Sequence, residues 1–481
     1  MAAPQYYSSA MHRNGLKYSR KRLAVAVIGL GLIGVCAWAL FGRRQSALDR
    51  WMAEMRAKGE KLTITELGLN RPPRTNAAME VIETAASRFK ALDRAKVVAR
   101  FESAEAFGSA HKRVEWAQTN LNSTIGRVLD WDALGGELTG LRPVLTSIHA
   151  IMSDPPLDSG RDYTGTSRTV NFVAMRGVAQ SLHDITMYDL HRGNISLAHQ
   201  DLLTLVGMAH LHTESWHIVE QMIRSAIAGL AVDAVWNALQ APGWTDQQLS
   251  ELQTKLANLS FFNQLAQAFC TERAVGLYWY NDLKTNRNSE TRILGSTSGP
   301  AFLPESALGA VWKSLWADQD LLLYCQHFQT LIDSLHSLAD TRSYDQIGPQ
   351  LAATHKRLER KFSGVHRYRY LWSGSAIPNF QRIPDVLVKN ETLRQFAVTA
   401  IALKRFELHQ GKPPGELNRL QPQFLPEPPV DLYDGRPVRY RLDADGGFTL
   451  YSVGADFQDD GGAPGKDLLW PKPIWPAAGS E

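Results

Sequence analysis

The chain has few cysteines and little excess charge. Its 481 residues include three Cys, and 52 Lys and Arg against 48 Asp and Glu give a net charge of +4. Three cysteines exclude the disulfide framework of a small secreted scaffold, and the charge balance excludes a disordered polyacidic or polybasic chain. The 36 Gly and 23 Pro show no collagen-like period. With 44% hydrophobic residues, the composition is that of a folded protein of two or three domains.

One long uncharged run is present near the start of the chain. Residues 23–42 read LAVAVIGLGLIGVCAWALFG between two groups of basic residues, and about 20 residues at 1.5 Å each cross a hydrocarbon core of about 30 Å. We therefore predict a single transmembrane anchor there, which contacts membrane lipid. Gly29, Gly31 and Gly34 match G-x-G-x-x-G, but no strand pattern follows them, so a dinucleotide site is not expected.

Cleavage of this run as a signal peptide is the alternative to a retained anchor, because Ala37-Trp38-Ala39 resembles a cleavage site. The length of the run and of its leader, residues 1–22, favours retention. Five Lys or Arg precede the run and five follow it closely, so charge counting gives no orientation. The short leader has no acidic residue, and we expect a single-pass protein with a cytoplasmic N-terminus and a body on the periplasmic side.

The rest of the chain is predominantly of helical pattern. Apolar residues recur at spacings of three and four with no long alternating runs, as in Leu249, Leu252 and Leu256 after the helix-starting Thr245. The predicted fold class is mostly α, with a multi-helix extracytoplasmic bundle and a small α+β tail. A linker rich in Ser, Thr, Asn and Gly (285–304) separates the helical body (47–284) from a second helical region (305–390), and the tail (391–470) follows.

The tail contains a predicted β-hairpin. Arg439 to Leu442 and Phe448 to Val453 alternate in polarity on either side of an Asp- and Gly-rich turn. An amphipathic helix from Arg394 to Gln410 is expected to pack against it.

The tail resembles the C-terminal half of the major pseudopilin of type II secretion systems, over residues 394–467. The resemblance rests on the helix running into Gly411, a Pro-rich approach, Asp431-Leu-Tyr-Asp434-Gly435 and Tyr451-Ser-Val-Gly-Ala-Asp456. It implies secretion or pilus-like components as partners. Because no prepilin-peptidase site precedes the run at 23–42, the chain looks like a pseudopilin-type tail fused to a different body.

The resemblance further implies a calcium ion at Asp456 and Asp467. Two more carboxylates, Asp459 and Asp460, crowd the same Gly-rich loop, and clustered carboxylates repel one another unless a cation or solvent separates them. A solvated acidic loop without calcium is the alternative, and no EF-hand spacing is present.

A basic segment in the second helical region is a candidate anion-binding site. Its cations are Lys356, Arg357, Arg360, Lys361, Arg367 and Arg369, with Tyr368, Tyr370 and Trp372 among or after them. On the periplasmic side the expected anion is anionic lipid or a cell-wall polymer, and no nucleic acid is expected. An ordinary solvated helix face is the alternative.

Histidines and cysteines give no clear site. Six of the 14 His lie between His183 and His217, but only His210 and His217 would share a face of one helix, which argues against a metal site of the H-E-x-x-H kind. Cys270 and Cys325 lie on separate predicted helices and form either one structural disulfide or two buried thiols.

These features favour a membrane-anchored extracytoplasmic scaffold or interaction protein, linked to type II secretion or pilus-like machinery. No serine lies in a G-x-S-x-G elbow, and no acidic pair can be singled out from the sequence. An envelope enzyme acting on a cell-wall polymer and an anionic-ligand binding module remain the alternatives. The sequence identifies no catalytic residue.

Overall fold

A computed structural model describes residues 46–70, 76–89, 114–118, 121–122, 128–163, 170–285, 305–443 and 447–470. The predicted leader and membrane run lie outside these residues, as does all but the first residue of the predicted linker. Two compact units are distinguished, Met1–Gly59 and Glu60–Glu481. Among the described residues, no helix is both long enough and apolar enough to cross a membrane.

The described residues are mostly helical, as the sequence predicts. In the first unit, α1 (Ala47–Ala57) begins at a capping box in which the Ser46 hydroxyl accepts a hydrogen bond from the Asp49 backbone N–H and the Asp49 carboxylate accepts from that of Ser46. The first helices of the second unit are α2 (Ala77–Phe89), α3 (Trp131–Ser153), α4 (Phe172–His191), α5 (Ile195–His210), α6 (Ile218–Leu239), α7 (Asp246–Ala257) and α8 (Phe262–Thr285). They are followed by α9 (Glu305–Leu315), α10 (Ala317–Thr341), α11 (Ile347–Lys361), α12 (Leu371–Ala376) and α13 (Ile383–Gln410).

The helix boundaries follow local sequence signals. Thr245 caps α7 by accepting a hydrogen bond from the Gln248 backbone N–H, as predicted for a helix starting there. Gly193, with φ of +71°, makes the turn between α4 and α5. Gly411 ends α13 with φ of +74°, a left-handed conformation that glycine adopts without strain. The predicted helix start at Arg394 is wrong: α13 begins eleven residues earlier, at Ile383.

The leucine stripes predicted from the sequence form the core. Leu202 and Leu205 of α5 and Leu249 and Leu252 of α7 are buried. Helix α4 packs against α5 and α6, α13 packs against α6 and α7, and α8 packs against α10. This arrangement places the middle of α4 and of α6 inside the bundle, where polar side chains must find partners.

The C-terminal tail carries a three-stranded antiparallel sheet. Its strands are β3 (Arg439–Leu442), β4 (Phe448–Ser452) and β5 (Leu468–Trp470), in the order β3-β4-β5. The predicted hairpin is confirmed, with Arg439 opposite Tyr451. The third strand is an addition, as are the two-residue strands β1 (Leu121–Asn122) and β2 (Val128–Leu129) in the helical body.

The tail sheet joins the helical body through aromatic contacts. Trp470 of β5 meets Trp236 of α6 edge to face, with ring centroids 5.8 Å apart, and β5 also contacts α13. The Gln253 side-chain amide of α7 donates to the Phe424 carbonyl at 2.7 Å, between α13 and the sheet. The tail therefore packs directly against the helical body.

Candidate functional sites

The predicted anion-binding residues lie together on one stretch of the surface. Four are in the last turns of α11 and two in a 3₁₀ helix, Gly364–Arg369. We call this set the basic patch: Lys356, Arg357, Arg360, Lys361, Arg367 and Arg369.

Asp320 of α10 fixes the surroundings of the basic patch. This carboxylate is fully buried. Its Oδ2 accepts from the Trp312 indole N–H of α9 at 3.0 Å and from the Trp372 backbone N–H at 2.8 Å, and its Oδ1 accepts from the Ser373 backbone N–H at 3.0 Å. Asp320 thereby ties α9 and the start of α12 to α10, so the intervening 3₁₀ helix is held between anchored elements.

The basic patch carries a local excess of positive charge. All of its cations except the half-buried Arg369 are exposed, and none has a carboxylate within 4.0 Å among the described residues. Its span contains one acid, Glu359. Three of the cations lie over aromatic rings. Lys361 and Arg369 are 5.5 and 6.0 Å from the centroid of the Tyr370 ring, and Arg367 is 4.8 Å from that of Tyr368.

Exposed apolar side chains lie on the 3₁₀ helix of the basic patch and on α9, which contacts that helix. Val365, within the 3₁₀ helix, is 78% exposed, and Leu315 at the end of α9 is 67% exposed. Val311 of the same helix is 40% exposed, and α9 contacts the 3₁₀ helix. The surface therefore combines apolar groups with cations that have no carboxylate partner among the described residues. This combination is not visible in the sequence, because the two segments are far apart in the chain.

A second cluster brings together side chains that could ligate a metal. Glu115, His183 of α4 and Asp233 of α6 each offer a ligand atom, and these three atoms lie within 4.8 Å of one another. His183 Nε2 is 3.0 Å from Asp233 Oδ2, and His183 Nδ1 is 3.7 Å from Asp184 Oδ1. His183 is fully buried, whereas the Asp233 side chain is 55% exposed, so the cluster has one open side.

Hydrogen bonds hold residues 114–118 against α4 and α6 and so position Glu115. The Asn237 side-chain oxygen accepts from the Glu115 backbone N–H at 2.7 Å, and the Asn237 carbonyl accepts from the Trp116 indole N–H at 2.8 Å. His191 Nδ1 lies 2.8 Å from the Trp116 carbonyl. Asn237 follows Asp233 by one helical turn, so the residue that anchors Glu115 and the exposed carboxylate share one face of α6.

The electrostatics of this cluster favour a cation. Burial lowers the pKa of His183, but the neighbouring carboxylates of Asp184 and Asp233 and the nearby charge of Glu115 raise it more, to about 10. The imidazole therefore carries a proton at neutral pH when no metal competes for it. This site is not recognisable in the sequence, because its residues come from three distant segments and no ligand spacing connects them.

The predicted common helix for His210 and His217 is wrong. Helix α5 ends at His210, and His212 has a left-handed φ of 60°. His212 Nε2 is 2.7 Å from the Asn76 side-chain amide nitrogen, and burial is the main cause that lowers the pKa values of His212 and His217 to about 4. These histidines are neutral groups of the helical body at neutral pH.

The predicted calcium ligands lie in a loop with extensive backbone hydrogen bonding. Asp467 Oδ2 accepts from the backbone N–H groups of Gly462 and Ala463 at 2.6 and 3.0 Å. Asp456 Oδ1 accepts from the Gln458 backbone N–H at 3.1 Å. These bonds show that Asp467 shapes the loop, and calcium binding there stays a prediction.

Cys270 and Cys325 are free, buried thiols on α8 and α10. Burial raises their pKa values to about 11 and about 12. The sequence left open either one disulfide or two buried thiols, and the structure shows two buried thiols.

The carboxyl groups of Glu220 and Glu272 both respond to the charge of one arginine, Arg161. The carboxylate of Glu220, on α6, is 3.7 Å from Arg161 Nη1. Burial raises the pKa of Glu220, and it raises that of Glu272 on α8 to about 7, while Arg161 lowers both. Glu220 has no exposed surface, so a substrate cannot reach its carboxylate in this conformation.

Comparison with known proteins finds no matching family model, no matching curated protein and no matching solved structure.

Proposed function

We propose that this chain is a membrane-anchored, extracytoplasmic interaction protein whose helical body lies against an anionic membrane surface through the basic patch. The observation that carries the proposal is the exposure of Val365 among cations that have no carboxylate partner in the described part of the chain. Exposed apolar groups surrounded by Lys and Arg are typical of protein surfaces that bind in the headgroup region of a bilayer. The anchor predicted at residues 23–42 would keep such a bilayer within reach.

The free energy with which the basic patch would bind an anionic bilayer is modest, but it is sufficient for a body that is tethered to the membrane. Each Lys or Arg near an anionic bilayer contributes about 1 kcal/mol. Burial of an exposed Val or Leu side chain contributes about 1.5–3 kcal/mol more. Because the anchor makes the encounter intramolecular, a weak contact of this kind suffices to hold the body on the membrane.

Hydrogen exchange of the full-length protein in lipid nanodiscs tests the proposal. In nanodiscs with anionic lipid at low salt, we expect the amides of the 3₁₀ helix to be protected relative to nanodiscs of neutral lipid. High salt is expected to remove the protection, because it screens the exposed charges. Equal exchange in both lipids would contradict the proposal, and so would protection produced only by added cell-wall polymer.

A matched pair of variants distinguishes the effect of the basic patch from the effect of the net charge of the protein. The patch variant combines K356Q, R357Q, R360Q and K361Q. The control combines K389Q, K412Q, R419Q and R436Q, which remove four exposed cations elsewhere on the described surface. We expect the patch variant to lose the lipid-dependent protection and the control variant to keep it.

A scaffold role in secretion or pilus-like machinery is a second candidate. Its support is that α13 runs into Gly411 and is followed by an antiparallel hairpin, the arrangement that the resemblance to the pseudopilin tail implies. In-cell cross-linking of the full-length protein in its native membrane tests it. Secretion or pilus components among the products would support this role, and their absence beside efficient cross-linking to lipid would count against it.

A further inference from the structure

We propose that Glu115, His183 and Asp233 form a binding site for one divalent transition-metal ion of the Zn²⁺ or Mn²⁺ type. This inference is independent of membrane docking, because the site lies on α4, α6 and residues 114–118 and uses no residue of the basic patch. The protein ligands of the metal are one imidazole nitrogen and two carboxylate oxygens.

The spacing of the ligand atoms fits a metal of this size. Metal–nitrogen and metal–oxygen bonds of about 2.1 Å at angles of 90–110° put neighbouring ligand atoms about 3.0–3.4 Å apart. The pair His183 Nε2 and Asp233 Oδ2 is already at 3.0 Å. Since all three atoms lie within 4.8 Å of one another, Glu115 completes the set with a movement of about 1.4 Å or less.

The site is held in place independently of a metal. Asn237 fixes the backbone at Glu115, and the Trp116 indole N–H and carbonyl both make hydrogen bonds to the helical bundle. His183 is enclosed on α4, with its Nδ1 facing Asp184 Oδ1 at 3.7 Å. That distance is longer than a hydrogen bond. The ring is held by its complete burial and by the 3.0 Å contact of Nε2 with Asp233 Oδ2.

The donor set selects among metals. Calcium and magnesium prefer all-oxygen sites, and Cu⁺ prefers sulfur, so an imidazole with two carboxylates suits Zn²⁺, Mn²⁺ and similar ions. Affinity at such a site follows the general order in which Zn²⁺ binds more tightly than Mn²⁺. The open side at the half-exposed Asp233 leaves room for water in the remaining coordination positions.

Metal titration of the full-length protein, purified and stripped with chelator, tests the site. Isothermal titration with ZnCl₂ is expected to show one ion per chain in the micromolar range or tighter, with weaker binding of MnCl₂ and none of MgCl₂ at this site. Absorption of Co²⁺ as a substitute ion gives a second readout, because its visible spectrum reports nitrogen and oxygen ligation directly.

The variant Asp233→Asn is the decisive one, because a half-exposed side chain can be changed without loss of the fold. We expect it to weaken Zn²⁺ binding at least about tenfold and to change the Co²⁺ spectrum. The control Asp132→Asn changes another exposed carboxylate and should bind Zn²⁺ like the parent chain. His183→Gln should abolish binding, with circular dichroism to confirm that the variant folds.

Two results would overturn the proposal. One is the absence of saturable Zn²⁺ binding up to about 100 µM in the parent protein. The other is Zn²⁺ binding that Asp233→Asn and Asp132→Asn leave equally intact, which would place the ion elsewhere. In either case the cluster would be an ion pair between a protonated histidine and its carboxylates.

Discussion

Arg439 and Asp431 join the first strand of the C-terminal sheet to the buried turn that precedes it: Arg439 Nη1 donates to Asp431 Oδ2 at 2.6 Å. Asp431 is fully buried. Its carboxylate also accepts from the Ser452 hydroxyl at 2.7 Å and from the Val453 backbone N–H at 3.0 Å, at the end of β4. One side chain thus connects the turn and two strands of the sheet.

Replacing Asp431 with Asn is expected to destabilise the protein by about 1–3 kcal/mol, because it removes one of the buried acceptors of this network while Asp434 continues to neutralise Arg439. Urea unfolding followed by circular dichroism measures the effect. The exposed Asp340→Asn provides the control and should change the free energy of unfolding by about 0.5 kcal/mol or less. Similar stabilities for the two variants would show that Asp431 is not the centre of this network.

Acid should destabilise the fold through buried His327. Burial, together with the neighbouring His355, lowers the pKa of His327 to about 4 in the folded chain, below its ordinary value of 6.5. The unfolded chain therefore takes up a proton first as pH falls, so stability present above pH 6.5 is lost towards pH 4, by about 3 kcal/mol in total.

Unfolding free energies of the parent and of His327→Gln between pH 7 and pH 4 check this contribution. The parent should lose more stability than the variant over this range. His336→Gln, an exposed position on the same helix, serves as the control and should follow the parent. Parallel profiles for the parent and His327→Gln would contradict burial of a neutral imidazole at this position.

The thiols of Cys270 and Cys325 should resist alkylation in the native protein. Both are buried, and their raised pKa values leave almost no thiolate at neutral pH. In a Cys36→Ser background, iodoacetamide followed by mass spectrometry should label neither thiol before unfolding and both afterwards. Rapid labelling of the folded chain would contradict the packing of α8 against α10.

The calcium prediction has its own test in the same full-length protein. Calorimetry with CaCl₂ should give a saturable heat that Asp456→Ala removes and Asp340→Asn preserves, since carboxylate oxygens are the ligands that Ca²⁺ prefers. A parent chain that gives no such heat would leave the acidic loop as a solvated turn shaped by Asp467.

The fold class could be predicted from the sequence because helix and hairpin patterns are local. Thr245 marks a helix start, and alternation around the Asp- and Gly-rich turn gives the hairpin register. Strand β5 has three residues and shows no alternation long enough to recognise. The pattern predicted a helix only from Arg394, whereas α13 also includes the segment before it, where Glu391 forms a buried ion pair with Arg394 at a nitrogen–oxygen distance of 2.5 Å.

The sites were less predictable than the fold. The basic patch was visible because its cations are close in sequence. The apolar side chains of α9 were not part of that pattern, since α9 contacts the 3₁₀ helix only in the folded chain. The cluster at His183 depends on tertiary packing throughout: His183 and Asp233 are 50 positions apart. Helical spacing rules describe ligands on one helix and have nothing to detect in such a set.

The most direct test of membrane docking is the depth of residue 365 in a bilayer. Val365→Cys in the Cys36→Ser background places a single accessible thiol at the exposed tip of the 3₁₀ helix, because Cys270 and Cys325 are buried. An environment-sensitive fluorophore is attached there, and the full-length protein is reconstituted into vesicles with or without anionic lipid. Quenchers fixed to the lipid and quenchers dissolved in water then report which phase the fluorophore contacts.

We expect the fluorophore at position 365 to shift to shorter wavelength and to be quenched by the lipid-bound quencher in anionic vesicles. Adding the four patch substitutions, K356Q, R357Q, R360Q and K361Q, should reverse both effects, because the charges that hold the surface at the membrane are gone. A fluorophore that stays accessible to the aqueous quencher in anionic and neutral vesicles alike would contradict the proposal that this surface binds the membrane.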